Sequence, residues 1–205
     1  MRLAICVPCR DQVMSGFCFD LARLVAYQTK MGDEVLLFQM PGTLIFHQRE
    51  KLAKTAIDAG AEAILWIDSD MRFPADTYEV LLAHGVDICG VNATTRVEPV
   101  LPTALNVEMI DESAVFKKVN SVGKDYVEEV SAVGFGVTLT RTSVFSKIAE
   151  PWFDILWTDA GSIIGEDVHF CIKAQDFNIK THVDHVLSKY IKHIGTKEYG
   201  WGDIK

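Results

Sequence analysis

Short apolar runs alternate with segments of helical periodicity along the first ninety residues. Residues 3–7 are continuously apolar and of strand length, the pattern of a strand buried on both faces. Residues 17–31 then read as a helix, with Ser15 as its N-cap and Gly32 as its stop. Residues 34–40 form a second strand closed by Pro41-Gly42. Residues 47–59 place Leu52, Ala56 and Ala59 on one helical face, with Gly60 just beyond. Residues 63–67 are a third buried strand that ends on Asp68-Ser69-Asp70. Pro74 opens a helix that runs to His84 and stops at Gly85, and residues 86–91 are the fourth strand.

This order predicts a parallel sheet covered by helices on both faces. The second half is richer in strands, at 101–107, 115–119, 126–130 and 133–140, followed by helices at 142–149 and 167–175 and strands at 179–186 and 190–194. The expected fold is a single α/β domain of Rossmann-like type. Its central sheet is mainly parallel and flanked by helices, with a smaller antiparallel extension in the C-terminal half.

Composition adds limits. A chain of 205 residues, 49% hydrophobic and 23% charged, suits one domain with a full core. Twenty Lys and Arg against 28 Asp and Glu leave a net charge of -8, which makes a broad grip on nucleic acid unexpected but allows a local basic pocket. No apolar run approaches the ~18 residues of a membrane span. The N-terminal apolar run meets Pro8, Arg10 and Asp11 too soon for a signal peptide, so a cytoplasmic protein is expected. Five cysteines do not suit a closed disulfide framework, and Cys6-x-x-Cys9 reads as two unlinked thiols at a strand end.

The chemistry concentrates at Asp68-Ser69-Asp70. Two acids two residues apart on a strand would share a face, at the sheet edge where open α/β folds bind ligands. Their mutual repulsion calls for a positive charge between them, and Mn²⁺ or Mg²⁺ bridging to a diphosphate supplies it. The alternative is a turn, since Asp and Ser bond readily to their own backbone. Glu166-Asp167 opens the helix at 167–175, where acids are either structural caps or a base kept ionised by the helix dipole. Arg49 could pair with a diphosphate or with one of the acids, or lie exposed on its helix. Among the histidines, His47 and His84 read as surface residues and His169 as packing, leaving His185 and His193 as candidates for a third metal ligand.

The stretch from Arg49 through residues 65–74 resembles the D-x-D region of GT-A glycosyltransferases, family-2-like enzymes in particular. The resemblance continues, in the family's order, at Val133-Gly134-Phe135-Gly136, Pro151-Trp152-Phe153, residues 165–171 and residues 192–195. It implies one GT-A catalytic domain over 1–205, with a nucleotide-binding half at 1–100, an acceptor-binding half at 101–195 and a tail or lid at 196–205. Pro8, Arg10, Arg49, Asp68 and Ser69 would contact the nucleotide; Asp70, with His193 and Asp68, would hold Mn²⁺ or Mg²⁺. Asp167 would be the catalytic base of an inverting enzyme, with Glu166 positioning it or the acceptor. Gly134, Phe135, Gly136 and Trp152 would form the acceptor or sugar side. Where relatives carry Arg-Asn, this chain has Arg49-Glu50, so a polar substrate contact at position 50 is not carried over.

The resemblance implies a metal-dependent transferase that takes a nucleotide-diphosphate sugar, a UDP- or GDP-sugar among the candidates, to an acceptor hydroxyl. Acceptor identity, stereochemistry and oligomeric state stay open. Three alternatives also stay open. A non-catalytic nucleotide- or glycan-binding module is one. A nucleotidyltransferase fits less well because Pro8-Cys9-Arg10-Asp11 lacks glycine, and a haloacid-dehalogenase phosphatase fits poorly because Arg72 stands where that class has Thr or Val.

Overall fold

The computed structural model describes residues 1–110, 113–157 and 163–195. Strand β1 (Arg2–Cys9) lies beside β2 (Glu34–Pro41) and β3 (Ala63–Ile67), parallel to both. Helices α1 (Ser15–Met31) and α2 (Ile45–Asp58) connect them. The short β4 (Met71–Arg72), α3 (Thr77–Ala83) and β5 (Ile88–Val91) follow. The second half comprises the hairpin β6 (Leu105–Ile110) and β7 (Ser113–Lys118), then β8 (Val127–Val130), β9 (Val137–Arg141) and α4 (Thr142–Phe145). Finally come β10 (Leu156–Trp157), β11 (Ile163–Ile164), α5 (Glu166–Gln175), β12 (Thr181–Asp184), α6 (His185–Ser188) and β13 (Lys192–His193).

The central sheet has seven strands in the order β2-β1-β3-β9-β5-β12-β8. Strand β9 corrects the expected parallel arrangement. It inserts between β3 and β5 and runs antiparallel to both, so β5 does not pair with β3. Strands β2, β1, β3, β5 and β12 still point one way, while β9 and β8 oppose them. The result is a mixed, Rossmann-like α/β sheet with helices on both faces.

Alternation along the strands builds two cores. Ala4, Cys6, Ile64 and Trp66 join α2 and α5 residues such as Leu52, Ala56, Phe170 and Ala174 on one face. Leu3, Ile5, Val7, Leu65 and Ile67 join Phe17, Leu24, Tyr78 and Leu81 of α1 and α3 on the other. The predicted elements shift mostly at their ends. Ser15 is the first residue of α1 rather than its cap, because Met14 holds the extended capping position. Gly32 closes α1 at φ 93, a left-handed conformation in which a side chain would be strained. Pro74 precedes α3 by a turn instead of opening it. The expected strand at 179–186 ends at Asp184, whose carboxylate accepts from Leu187 N–H and starts α6.

No described helix is long and apolar enough to cross a membrane. All five cysteines are free, and burial raises the thiols of Cys89 and Cys171 to about 12. The segment expected as tail or lid, 196–205, lies outside the described residues.

Candidate functional site

Strand β3 is wholly buried up to Ile67, and the chain turns as soon as the first acid arrives. Asp68 N–H donates to the Gly136 carbonyl (3.0 Å), and Met71 N–H returns to the Asp68 carbonyl (3.1 Å). Asp68 and Asp70 therefore sit on a turn, not on a strand. Strand alternation does not govern them, and they face different partners.

Asp68 faces inward. Its Oδ1 accepts from Arg49 Nη2 at 2.9 Å. Arg49 Nε donates to Glu166 Oε1 at 2.9 Å, and Nη1 donates to the Phe135 carbonyl at 3.2 Å. The guanidinium is 2% exposed and lies over the rings of Trp66 and Phe135. Of the pairings the sequence allowed, Arg49 takes the acids; a diphosphate contact is corrected, since protein encloses the group. One buried cation thus joins the end of β3 to the start of α5 and faces two carboxylates. Burial pushes both the Asp68 and the Glu166 carboxyl upward, with Arg49 opposing.

Asp70 faces outward. Its Oδ2 pairs with Arg96 and lies 3.3 Å from His193 Nε2. His193 Nδ1 is 2.8 Å from the Thr94 carbonyl. A carbonyl only accepts, so Nδ1 carries a proton; Nε2 faces the carboxylate, donating to it when the ring is protonated and presenting a lone pair when the ring is neutral. In the neutral ring the two groups are both acceptors, and a proton or a cation is then required between them. Burial opposes ionisation of Asp70, but His193 and Arg96 outweigh it and hold its carboxyl below the usual range. The Asp70 contact raises His193. Strand β13 delivers His193 by pairing with β4, and Ile194 N–H donates to the Asp70 carbonyl at 2.8 Å. Strand β4 is tied back to α1, where buried Asp20 accepts from Arg72 Nε (2.5 Å) and Phe73 N–H (3.4 Å).

These groups edge a cavity of about 600 Å³ whose lining includes Pro8, Arg10, Asp68, Ser69, Asp70 and His193. The sequence-predicted nucleotide and metal residues other than Arg49 thus converge on one opening. Gln48 shapes its wall by donating to the carbonyls of Cys9 (2.7 Å) and Met40 (2.6 Å), tying the ends of β1 and β2 together. Gln48 and Arg96 were missed because a lone amide on a helix and a loop arginine carry no spacing signal. The expected Asp68–Asp70–His193 triad comes together only as the Asp70–His193 pair, because Arg49 draws Asp68 away. Among the described residues, no three His, Cys, Asp or Glu side chains form a ready-made cation cage. The pair itself suits a divalent transition cation: a carboxylate oxygen lies beside an imidazole nitrogen whose other N–H is fixed by a backbone carbonyl.

The acceptor-side expectations divide. Gly134 and Gly136 stand at close approaches: a Cβ on Gly134 would lie 3.0 Å from Thr103 and 3.6 Å from Asp167 Oδ2. Asp167 keeps its carboxylate half-buried beside Gly134, while Glu166 is buried on Arg49. Phe135 and Trp152 need correction. Phe135 is 1% exposed among Trp66, Phe153 and Phe170. Trp152 is 6% exposed, and its Nε1 is spent on the carbonyls of Phe145 and Ile148. Neither ring offers a face to a sugar. Glu50 is also structural, because its Oε2 accepts from the N–H groups of Trp152 and Phe153 at 2.9 and 3.0 Å.

The remaining histidines lie elsewhere. His185 is fully buried between Ser121 and Glu128, away from the Asp70–His193 pair, so it is not an alternative ligand there. His84 is not a free surface group; its Nε2 is 2.8 Å from Asp184 Oδ2.

No protein-family model and no curated protein matches the chain. Among solved structures, the chain is similar to A197 from STIV, at 15% identity and a TM-score of 0.52. The alignment covers 89% of this chain and 81% of that one, and the likeness is one of fold.

Proposed function

We propose that the protein is a single-domain GT-A-type glycosyltransferase that uses a divalent cation and a nucleotide-diphosphate sugar. One observation carries the reading: His193 Nε2 and the Asp70 carboxylate face each other at 3.3 Å on the rim of the cavity that Pro8, Arg10 and Ser69 also line. Asp70 and His193 would hold Mn²⁺ or Mg²⁺, with Asp68 beside them. A cation held there would neutralise charge on the departing diphosphate.

The chain's own residues then divide the work. Arg10 is exposed on the cavity wall and meets phosphate oxygens, and the segment around Pro8 borders the base. Arg49 ties Asp68 to Glu166 and so fixes the distance between the donor side and α5. Asp167 accepts the proton of the acceptor hydroxyl as that oxygen bonds to the anomeric carbon. The bond from that carbon to the diphosphate oxygen breaks, and its electron pair leaves with the diphosphate.

Thermal unfolding with UDP, GDP, CDP and ADP, each with and without Mn²⁺, tests the reading. A ligand bound only by the native state at ~100 Kd adds about 2.7 kcal/mol. One diphosphate is expected to stabilise the wild type only with Mn²⁺ and to leave Asp70→Ala unchanged. A shift by none of the four, or equal shifts in both proteins, rejects the reading.

A further inference from the structure

A second cavity, of about 660 Å³, opens further along the same sheet edge, beyond β5 and β12. Thr94 belongs to its lining and also carries the carbonyl that holds His193 Nδ1, so one backbone segment separates the two cavities. The wall is firmly built. Asn92, 6% exposed, donates from Nδ2 to the Val119 carbonyl and to Ser121 Oγ, both at 2.8 Å. Its Oδ1 accepts from Ala104 N–H at 2.9 Å, and its own N–H donates to Ser188 Oγ at 2.8 Å. Ser121 Oγ is in turn 2.7 Å from Nδ1 of fully buried His185, whose Nε2 meets Glu128 at 2.7 Å.

The charge of this cavity runs against that of the chain. The protein carries 28 acids against 20 bases, yet the lining contains Lys118 and Lys189 and no acid. Among the described residues, neither lysine has a carboxylate within 4.0 Å, although Lys117, Lys124, Lys147 and Lys180 each have one. Two ammonium groups with no described carboxylate partner, a rigid serine hydroxyl and the apolar patches of Val100, Pro102 and Val122 suit a hydroxylated ligand with one oxyanion group. A run of neighbours links the cavity wall to the proposed base. Pro102 precedes Thr103, which packs on Gly134, the glycine that Asp167 Oδ2 approaches.

We infer that this second cavity is the acceptor subsite and that it takes an acceptor bearing a phosphate or carboxylate. The assignment to the acceptor rests on the transferase reading; the anion preference of the cavity does not. The ammonium groups of Lys118 and Lys189 hold the oxyanion, and the rest of the acceptor extends past Thr94 toward the donor cavity.

Calorimetric titration with glucose 6-phosphate, glucuronate and glucose tests it, on wild type, the double variant Lys118→Gln/Lys189→Gln, and Asp70→Ala. Both lysines are exposed, so the double variant keeps the fold, and an unchanged unfolding midpoint verifies this. Glucose 6-phosphate, glucuronate or both are expected to bind wild type, and which of them does identifies the oxyanion. The double variant is expected to bind about tenfold or more weakly. Glucose should bind far more weakly than the anions. Asp70→Ala should keep anion binding while losing the nucleotide response. Equal binding of glucose, equal binding by the double variant, or no binding of either anion at millimolar concentration overturns the assignment. Anion binding by wild type with no nucleotide response in wild type would instead count against the donor site.

Discussion

His193 Nε2 lies 3.3 Å from Asp70 Oδ2, while its Nδ1 donates to the Thr94 carbonyl. The backbone contact commits Nδ1, so Nε2 is the nitrogen turned toward the carboxylate, and it offers a lone pair once the ring is neutral. The same oxygen of Asp70 also pairs with Arg96, a half-exposed loop residue that supplies positive charge where the proposed cation would sit.

Arg96 is therefore expected to compete with the cation. Arg96→Gln should tighten Mn²⁺ binding to the nucleotide-free protein by up to about fivefold, the reach of an exposed ion pair. A titration that follows free Mn²⁺ by electron paramagnetic resonance measures it. Unchanged affinity would show that Arg96 is no competitor.

Arg49 holds the interior of the site. Its removal strands the buried Glu166 carboxylate and leaves Asp68, at the cavity edge, without its cation. Arg49→Ala is expected to cost about 3–5 kcal/mol in denaturant unfolding, the range for breaking a buried ion pair. Arg49→Lys should recover only part of this, because a compact ammonium cannot span the three acceptors that the planar guanidinium reaches. A cost near zero would mean that the link is dispensable.

Asp20 ties α1 to the ribbon that carries His193. Its burial works against ionisation, but Arg72, the Phe73 N–H and Arg23 prevail and hold its carboxyl below the usual range. A depressed carboxylate stabilises the fold fully above its unfolded pKa of about 3.9, and that contribution disappears as pH falls through the folded value. Asp20→Asn should thus be less stable than wild type near pH 7, by about 1.5–3 kcal/mol for the lost charged hydrogen bonds. The difference should close in strongly acidic solution. A difference that stays constant with pH would exclude the ion pair as its source.

Much of the fold was legible because its strands are buried runs. Residues 63–67 were bounded correctly from apolar character alone, and the three glycine stops at 32, 60 and 85 hold. The insertion of β9 between β3 and β5 was not legible, because an apolar run records burial but neither neighbour nor direction. In the site, an acid pair after a buried strand was enough to find the cavity. Side-chain direction was the part that failed: the turn at 68–71 sends Asp68 and Asp70 to separate partners, and Trp152 points into the core. Arg96 was invisible, since its role depends on where the loop returns and not on its sequence neighbours.

Asp167 separates binding from chemistry. Asp167→Asn is expected to lower kcat about 10²–10⁴-fold while leaving Mn²⁺-dependent nucleotide binding intact. Glu166→Gln should instead lower stability along with activity, since Glu166 is bonded to Arg49. Release of nucleoside diphosphate from a set of UDP- and GDP-sugars follows the first, and denaturant unfolding the second. Full activity in Asp167→Asn would remove it as the base.

The most direct test is Mn²⁺ binding in the presence of the diphosphate that stabilises the wild type, followed by electron paramagnetic resonance. Wild type should take up Mn²⁺, and both Asp70→Ala and His193→Ala should lose it by about tenfold or more, as removal of a ligand requires. Thr181→Ala, a buried position in β12 remote from the pair, serves as the control and should bind as wild type does. Equal Mn²⁺ uptake by all four proteins would contradict the account, because the Asp70–His193 pair would then not be the cation site.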